Sequence, residues 1–183
     1  MKLYVFSSLN WENIWIGYRM QKWAVSPAQA VMQARRTRAR SVRVGDRGLL
    51  YTRKGPHPVL TMPFEFKTAP NIDESVPDVW PEVWVMPFDI RTLGAPDRQW
   101  NARHAAQILP FNKEAKTNLS SVFNMQGTAV FAPIEIGEDD WAMIVDRLGP
   151  RKLNAPVGFP CLLTGEVTPE IHFRQTPHPF PQG

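Results

Sequence analysis

Leu3-Tyr4-Val5-Phe6-Ser7-Ser8-Leu9-Asn10-Trp11-Glu12-Asn13-Ile14-Trp15-Ile16-Gly17-Tyr18-Arg19-Met20-Gln21-Lys22-Trp23-Ala24-Val25-Ser26 is the stretch on which the reading of this chain turns. Its first four residues are an unbroken apolar run, the pattern of a short strand. Residues 8 to 25 then read as a loop with a turn or short helix. Asn13 and Trp23 stand in that loop and the element after it, where binding residues concentrate. An amide presents both a donor and an acceptor to a base edge, and an indole presents a flat face for a base to stack on. Together they suit a nucleobase.

Outward from this stretch, Ser26-Pro27-Ala28-Gln29 is a capping box with proline at the first helical position. Ala28, Val31, Met32 and Ala34 continue at helical spacing, and the helix is expected to end near Arg40. Residues 42–51 read as a turn feeding a buried strand, which pairs with a second strand over 59–66 through the Gly55-Pro56 turn. A proline-rich, acidic loop over 67–82 ends at Val79-Trp80-Pro81, and a strand follows over 83–90. Between 91 and 118 the pattern is mixed, with a short strand expected around Gln107-Ile108-Leu109 and no evident place for Trp100. Glu138-Asp139-Asp140 puts negative charge on the first turn of a helix whose Trp141, Ile144, Val145 and Leu148 recur at i, i+3, i+4 and i+7. From Pro150 on, seven prolines fall in 34 residues with little periodicity. The expected organisation is one domain over 1–149 and a proline-rich tail over 150–183 that drapes over the domain, tethers it to something or stays disordered.

The net charge is only +4, yet it is unevenly placed. Arg35, Arg36, Arg38, Arg40, Arg43, Arg47, Arg53 and Lys54 oppose the single Asp46, so this segment carries +7 and the rest of the chain −3. Two readings fit: a solvated face, or a surface on which Arg35, Arg36, Arg38 and Arg40 grip the phosphates of a nucleic acid. The Asn13 and Trp23 stretch favours the second.

A chain of 183 residues with 43% hydrophobic residues can bury a sufficient core without disulfides or metals. With Cys161 alone no internal disulfide forms, and the opening residues lack the pattern of a signal peptide, so a reducing, cytoplasmic setting is expected. No apolar run approaches the roughly 20 residues that cross a bilayer. Four scattered histidines, no paired cysteines, no nucleophile elbow and no phosphate-cradling glycine loop leave no catalytic residue, metal site or cofactor to name.

The opening stretch resembles, without a gap, the start of YTH domains and of the related EVE domains. Their pattern runs from a strand through a serine (Ser8) and a polar loop to Asn or Asp (Asn13), then a Gly- or Ser-containing turn (Gly17) and a tryptophan (Trp23) followed by a small residue (Ala24). The Val44-Gly45-Asp46 turn entering an apolar strand is similar to a recurrent feature of PUA-like barrels, the superfamily that holds both. This resemblance implies an α/β chain of the α+β kind, a PUA-like mixed β-barrel flanked by helices. It further implies a non-enzymatic module that takes a modified, typically methylated, base of DNA or RNA, flipped or single-stranded, into an aromatic cage. Trp23 would be one wall, Trp80 a second, and Asn13, Ala24 and Ser8 would complete the base site. Trp84 matches a strand tryptophan that is structural in YTH domains. Trp11 and Trp15 stand where those domains usually have polar residues, so here they either pack the loop or add stacking surface.

The polar loop over 118–128 corresponds to one that contributes phosphate and base contacts in the family, which brings in Ser120, Ser121, Asn124 and Gln126. The family's basic residue is missing there, and the same residue types also simply build turns. Members of this group serve as readers in modification-dependent restriction systems or alone, so a nuclease or other effector reached through the tail is a possible partner. The alternatives are a PUA-type RNA binder without modification preference and an ASCH-like nucleoside hydrolase. The latter relies on a cleft lysine and carboxylate, and no convincing lysine is present.

Overall fold

The computed structural model describes residues 1–30, 33–125 and 129–150. Val31, Met32, Gln126 and the tail from Arg151 onward lie outside the described residues, as does the side chain of Gln29. The elements run β1 (Lys2–Ser7), α1 (Trp11–Met20), β2 (Lys22–Val25), α2 (Pro27–Ala30), α3 (Gln33–Ala39), β3 (Arg47–Lys54), β4 (His57–Phe66), β5 (Ser75–Val76), β6 (Trp84–Thr92), β7 (Gln99–Asn101), α4 (Ala102–Ile108), α5 (Leu119–Val122), β8 (Ile134–Glu135) and α6 (Glu138–Leu148). It is an α+β fold in which a mixed sheet curls into a half-barrel flanked by helices.

The sheet follows the order β2-β6-β4-β3-β1-β8. The parallel pair is β1 with β3, Leu3 opposite Arg47 through Ser7 opposite Tyr51. A parallel pair needs a long crossover, and α1, β2, α2 and α3 supply it. β4 shares one edge between two partners. Val59–Thr61 pair with β7 and Phe64–Phe66 with β6, and the break falls at Met62, whose φ is 49°.

The unbroken apolar run of β1 is explained by two cores, one on each side of the sheet. Tyr4 and Phe6 face the first, with Leu50, Phe64, Phe66, Phe88 and the tryptophans 23, 80 and 84. Leu3 and Val5 face the second, with Leu49, Leu60, Trp100 and the inner faces of α4 and α6. Tyr4 is fully buried. Burial first, and the Asp46 carboxylate second, push its hydroxyl up to about 12, so it keeps its proton near neutrality.

The turn at Gly45-Asp46 forms as expected, with Gly45 at φ 87° and the Asp46 carboxylate accepting from the Arg43 N–H at 2.9 Å. The β3–β4 hairpin turns at Gly55, and α6 covers 138–148 with Trp141, Ile144 and Leu148 buried. Its first turn is secured by Asp140, which accepts from Gly137 N and from Phe111 N, each at 2.8 Å.

Two expectations are corrected. Residues 8–25 are largely regular: Asn10 caps α1 by accepting from Glu12 N at 2.9 Å, Ile14 and Gly17 turn inward, and Gln21 in the left-handed region ends the helix. Trp23 therefore lies on a strand. Residues 107–109 are not a strand but the end of α4, nucleated by Asn101, which accepts from Arg103 N and His104 N. The inward residues of α4 are Ala102, Ala105 and Ala106, too small to stand out as a periodic stripe. Trp100 finds its place on β7 in the second core.

Candidate nucleic-acid interface

Trp23, on β2, pairs with Phe88 on β6, and a register shift between Trp23 and Val25 breaks the strand's alternation. Such a bulge re-aims side chains. Here Trp23, Ala24 and Val25 all enter the first core. Gly17 of α1 lies against the Trp23 ring so closely that a Cβ there would stand 2.6 Å from Cε3. Trp84 opens β6 and faces the same side, while Trp80 reaches in from the loop between β5 and β6.

The three indoles converge. Trp80 and Trp84 are stacked with centroids 4.5 Å apart and planes 12° apart. Trp23 meets both edge-on, at 5.9 Å from Trp80 and 5.3 Å from Trp84. Only 2% of Trp23, 3% of Trp80 and 7% of Trp84 is exposed. The expected walls Trp23 and Trp80 are thus brought together, and Trp84, expected as a core residue, is both buried and part of the same cluster. The signal that could have joined it to Trp80 is their four-residue spacing across the start of a strand.

Asn13 lies in the first turn of α1, with its backbone carbonyl accepting from Trp80 Nε1–H at 3.1 Å. Its side-chain oxygen Oδ1 is buried and, among the described residues, accepts no hydrogen bond. Capping is done by Asn10, so the Asn13 amide is not consumed in holding its own helix. Ser8 is buried, donating its hydroxyl to Asn10 O at 3.1 Å and its N–H to Tyr51 O at 3.0 Å. It shapes the approach to α1. Trp11, half-buried, donates Nε1–H to Arg53 O at 3.0 Å and ties the β3–β4 hairpin to the start of α1. Trp15 is half-exposed and meets Tyr18 edge-on at 5.7 Å.

The arginine run divides. Arg35 is buried and donates to Ala28 O at 2.7 Å, so in this structure it braces α3 against α2 rather than facing solvent. Sequence spacing alone could not separate it from its neighbours. Arg36 is half-buried and paired with Asp73 at 2.7 Å. Arg38 is half-buried; Arg40, Arg43, Arg53 and Lys54 are exposed. Arg47 pairs with Glu65 at 2.9 Å, a carboxylate it shares with Arg91, and lies over the Trp141 ring.

The late polar loop is mostly engaged with itself. Asn118 caps α5 by accepting from Ser121 N, Ser120 O accepts from Met125 N at 2.8 Å, and Asn124 donates to Pro133 O at 2.9 Å. Ser120 is exposed, Ser121 and Asn124 are half-buried, and Gln126 lies outside the described residues. Among the described residues no group of three or more His, Cys, Asp or Glu is placed to hold a metal ion, and no helix is long and apolar enough to cross a membrane.

The curled mixed sheet and its flanking helices define a YTH-like fold. The chain is similar to the YTH domain of Zygosaccharomyces rouxii MRB1, solved in complex with N6-methyladenosine RNA, at a TM-score of 0.51 and 13% identity over 79% of this chain and 84% of that one. It is likewise similar to the Pho92 YTH domain, solved in complex with m6A, at 0.52 and 12% identity over 84% of this chain and 86% of that one. No family model and no curated protein matches the sequence.

Proposed function

We propose that this chain is a non-enzymatic reader of nucleic acid that takes one methylated base, flipped or single-stranded, into the cluster of Trp23, Trp80 and Trp84. Asn13 reads the edge of that base. The small side chain of Ala24 leaves room beside it, and Ser8 holds the entry to α1. Arg40, Arg43, Arg53 and Lys54, exposed and with no acidic partner among the described residues, run along the phosphates, with Arg36, Arg38 and Ser120 flanking them. The observation that carries this reading is the convergence of three indoles beside a buried amide oxygen with no hydrogen-bond partner among the described residues, an arrangement that costs free energy until a ligand donor arrives. Two solved structures of similar fold hold N6-methyladenosine, which makes RNA bearing that base the first ligand to test.

The test is a competition titration of the wild type, Asn13→Ala and Asn13→Asp against matched oligonucleotides carrying adenine, N6-methyladenine, cytosine or a methylated cytosine. Selective binding of one methylated base is expected. Asn13→Ala leaves a polar group of the buried base unpaired and weakens binding by about 1–3 kcal/mol, while Asn13→Asp exchanges a donor for an acceptor and re-ranks the bases. Equal affinity for modified and unmodified partners would refute the reading. An unchanged ranking in Asn13→Asp would remove Asn13 from base recognition.

A further inference from the structure

The reader site is shut by one of its own walls. A base sandwiched between two indoles needs their planes about 7 Å apart, twice the ordinary separation of stacked carbons. Trp80 and Trp84 instead stack directly on each other, centroids 4.5 Å apart, with Trp23 closing the edge of the pair. No slot for a base is left between them.

The residue that closes the slot is carried by a loop, not by a paired strand. Trp84 and Trp23 lie on strands paired in the sheet. Trp80 lies in the loop 77–83, where Pro77, Asp78, Pro81, Glu82 and Val83 are exposed, Val79 is partly buried against the first core and Trp80 is buried. Its side chain is held by the ring contacts and by the hydrogen bond from Nε1–H to Asn13 O. That bond joins the loop to the residue whose side-chain oxygen is buried without a partner among the described residues.

Building on the reader function proposed above, we infer that Trp80 is a gate as well as a wall: in the free chain its indole fills the place on Trp84 that the base takes, and the ligand enters only when the 77–83 loop lifts Trp80 and releases Asn13 O. The open state is then a minor population. The apparent affinity is the intrinsic affinity reduced by the open fraction, and association is slowed by the same factor. Entry of the base restores the stack with the base as its middle layer.

Two measurements test this. Closely packed indoles give a far-ultraviolet exciton couplet in circular dichroism, which is expected in the free wild type and reduced in both Trp80→Phe and Trp84→Phe, each of which keeps only one edge-on pair with Trp23. A free wild type without the couplet overturns the closed state, and this reading needs no variant to fold. In stopped-flow mixing with an N6-methyladenosine oligoribonucleotide, Trp80→Phe, which cannot donate to Asn13 O, is expected to associate roughly two- to tenfold faster than the wild type, the scale of one net hydrogen bond. The wild-type couplet should weaken as the complex forms, to the level that the Trp23–Trp84 pair alone sustains. An unchanged association rate in a folded Trp80→Phe that still binds overturns the gate and leaves the reader function standing. Binding by Trp80→Phe where the wild type binds poorly supports the gate strongly. Failure of both proteins to bind any of the matched oligonucleotides overturns the reader function and the gate with it.

Discussion

Gly17→Ala is the substitution that most directly measures how tightly the tryptophan cluster is seated. A methyl carbon at this position would stand 2.6 Å from Trp23 Cε3, 2.8 Å from Cζ3 and 3.0 Å from the Lys22 carbonyl oxygen. Ordinary carbon contacts are about 3.5–4.0 Å, so helix and ring have to part by roughly 1 Å. The ring has little room to yield, because it is 2% exposed and has Trp80 and Trp84 against it. Overpacking of this kind costs about 1–3 kcal/mol. Alanine returns up to about 1 kcal/mol through its helix propensity. The net expectation is a loss of about 0–3 kcal/mol, read from the midpoint of urea unfolding with the slope held common. The decisive measurement is the cycle with Trp23→Phe, whose smaller ring relieves the clash: Gly17→Ala should cost at least 1 kcal/mol less in that background. Equal costs in both backgrounds, or a Gly17→Ala protein more stable than the wild type, would show that α1 does not bear on Trp23.

The divided arginine run gives a second contrast. Arg35→Ala should lower stability by about 1–3 kcal/mol, since Ala28 O loses its buried donor, while leaving the salt dependence of binding unchanged. Arg40→Ala and Arg43→Ala should do the reverse, each reducing the slope of log affinity against log salt by about 0.7 if it meets one phosphate of a single strand. Equal slopes for all three variants would place the phosphate path elsewhere. Asp140→Ala strips the acceptor from two backbone N–H groups, those of Gly137 and Phe111, and should cost about 2–4 kcal/mol in urea unfolding; a loss under 1 kcal/mol would show that water replaces the carboxylate.

Much of the frame was legible because its signals are local. The apolar run of β1, the Gly45 turn, the β3–β4 hairpin and the i, i+3, i+4, i+7 stripe of α6 each specify their own geometry within a few residues. α4 was not legible, since alanines pack closely without marking a face. The strand under Trp23 was hidden because its four residues are defined by pairing with β6, some 60 residues away. The site shows the same division. Residue types named Asn13, Trp23 and Trp80, but only the packing shows that Trp84 joins them and that Arg35 points inward. Burial of one arginine among several is a property of the helix's neighbours.

The ends of the sheet bear on how the chain behaves at high concentration. The strand path terminates at β2, four residues long and beginning with Lys22, and at β8, only two residues long. Exposed strand edges are templates for edge-to-edge self-association, and short edges bearing lysine are among the devices that blunt them. β4, the longest strand, has no such edge: β3 takes one side, and β6 and β7 divide the other. The split at Met62 thus removes the most extended template in the molecule from contact with other copies of the chain.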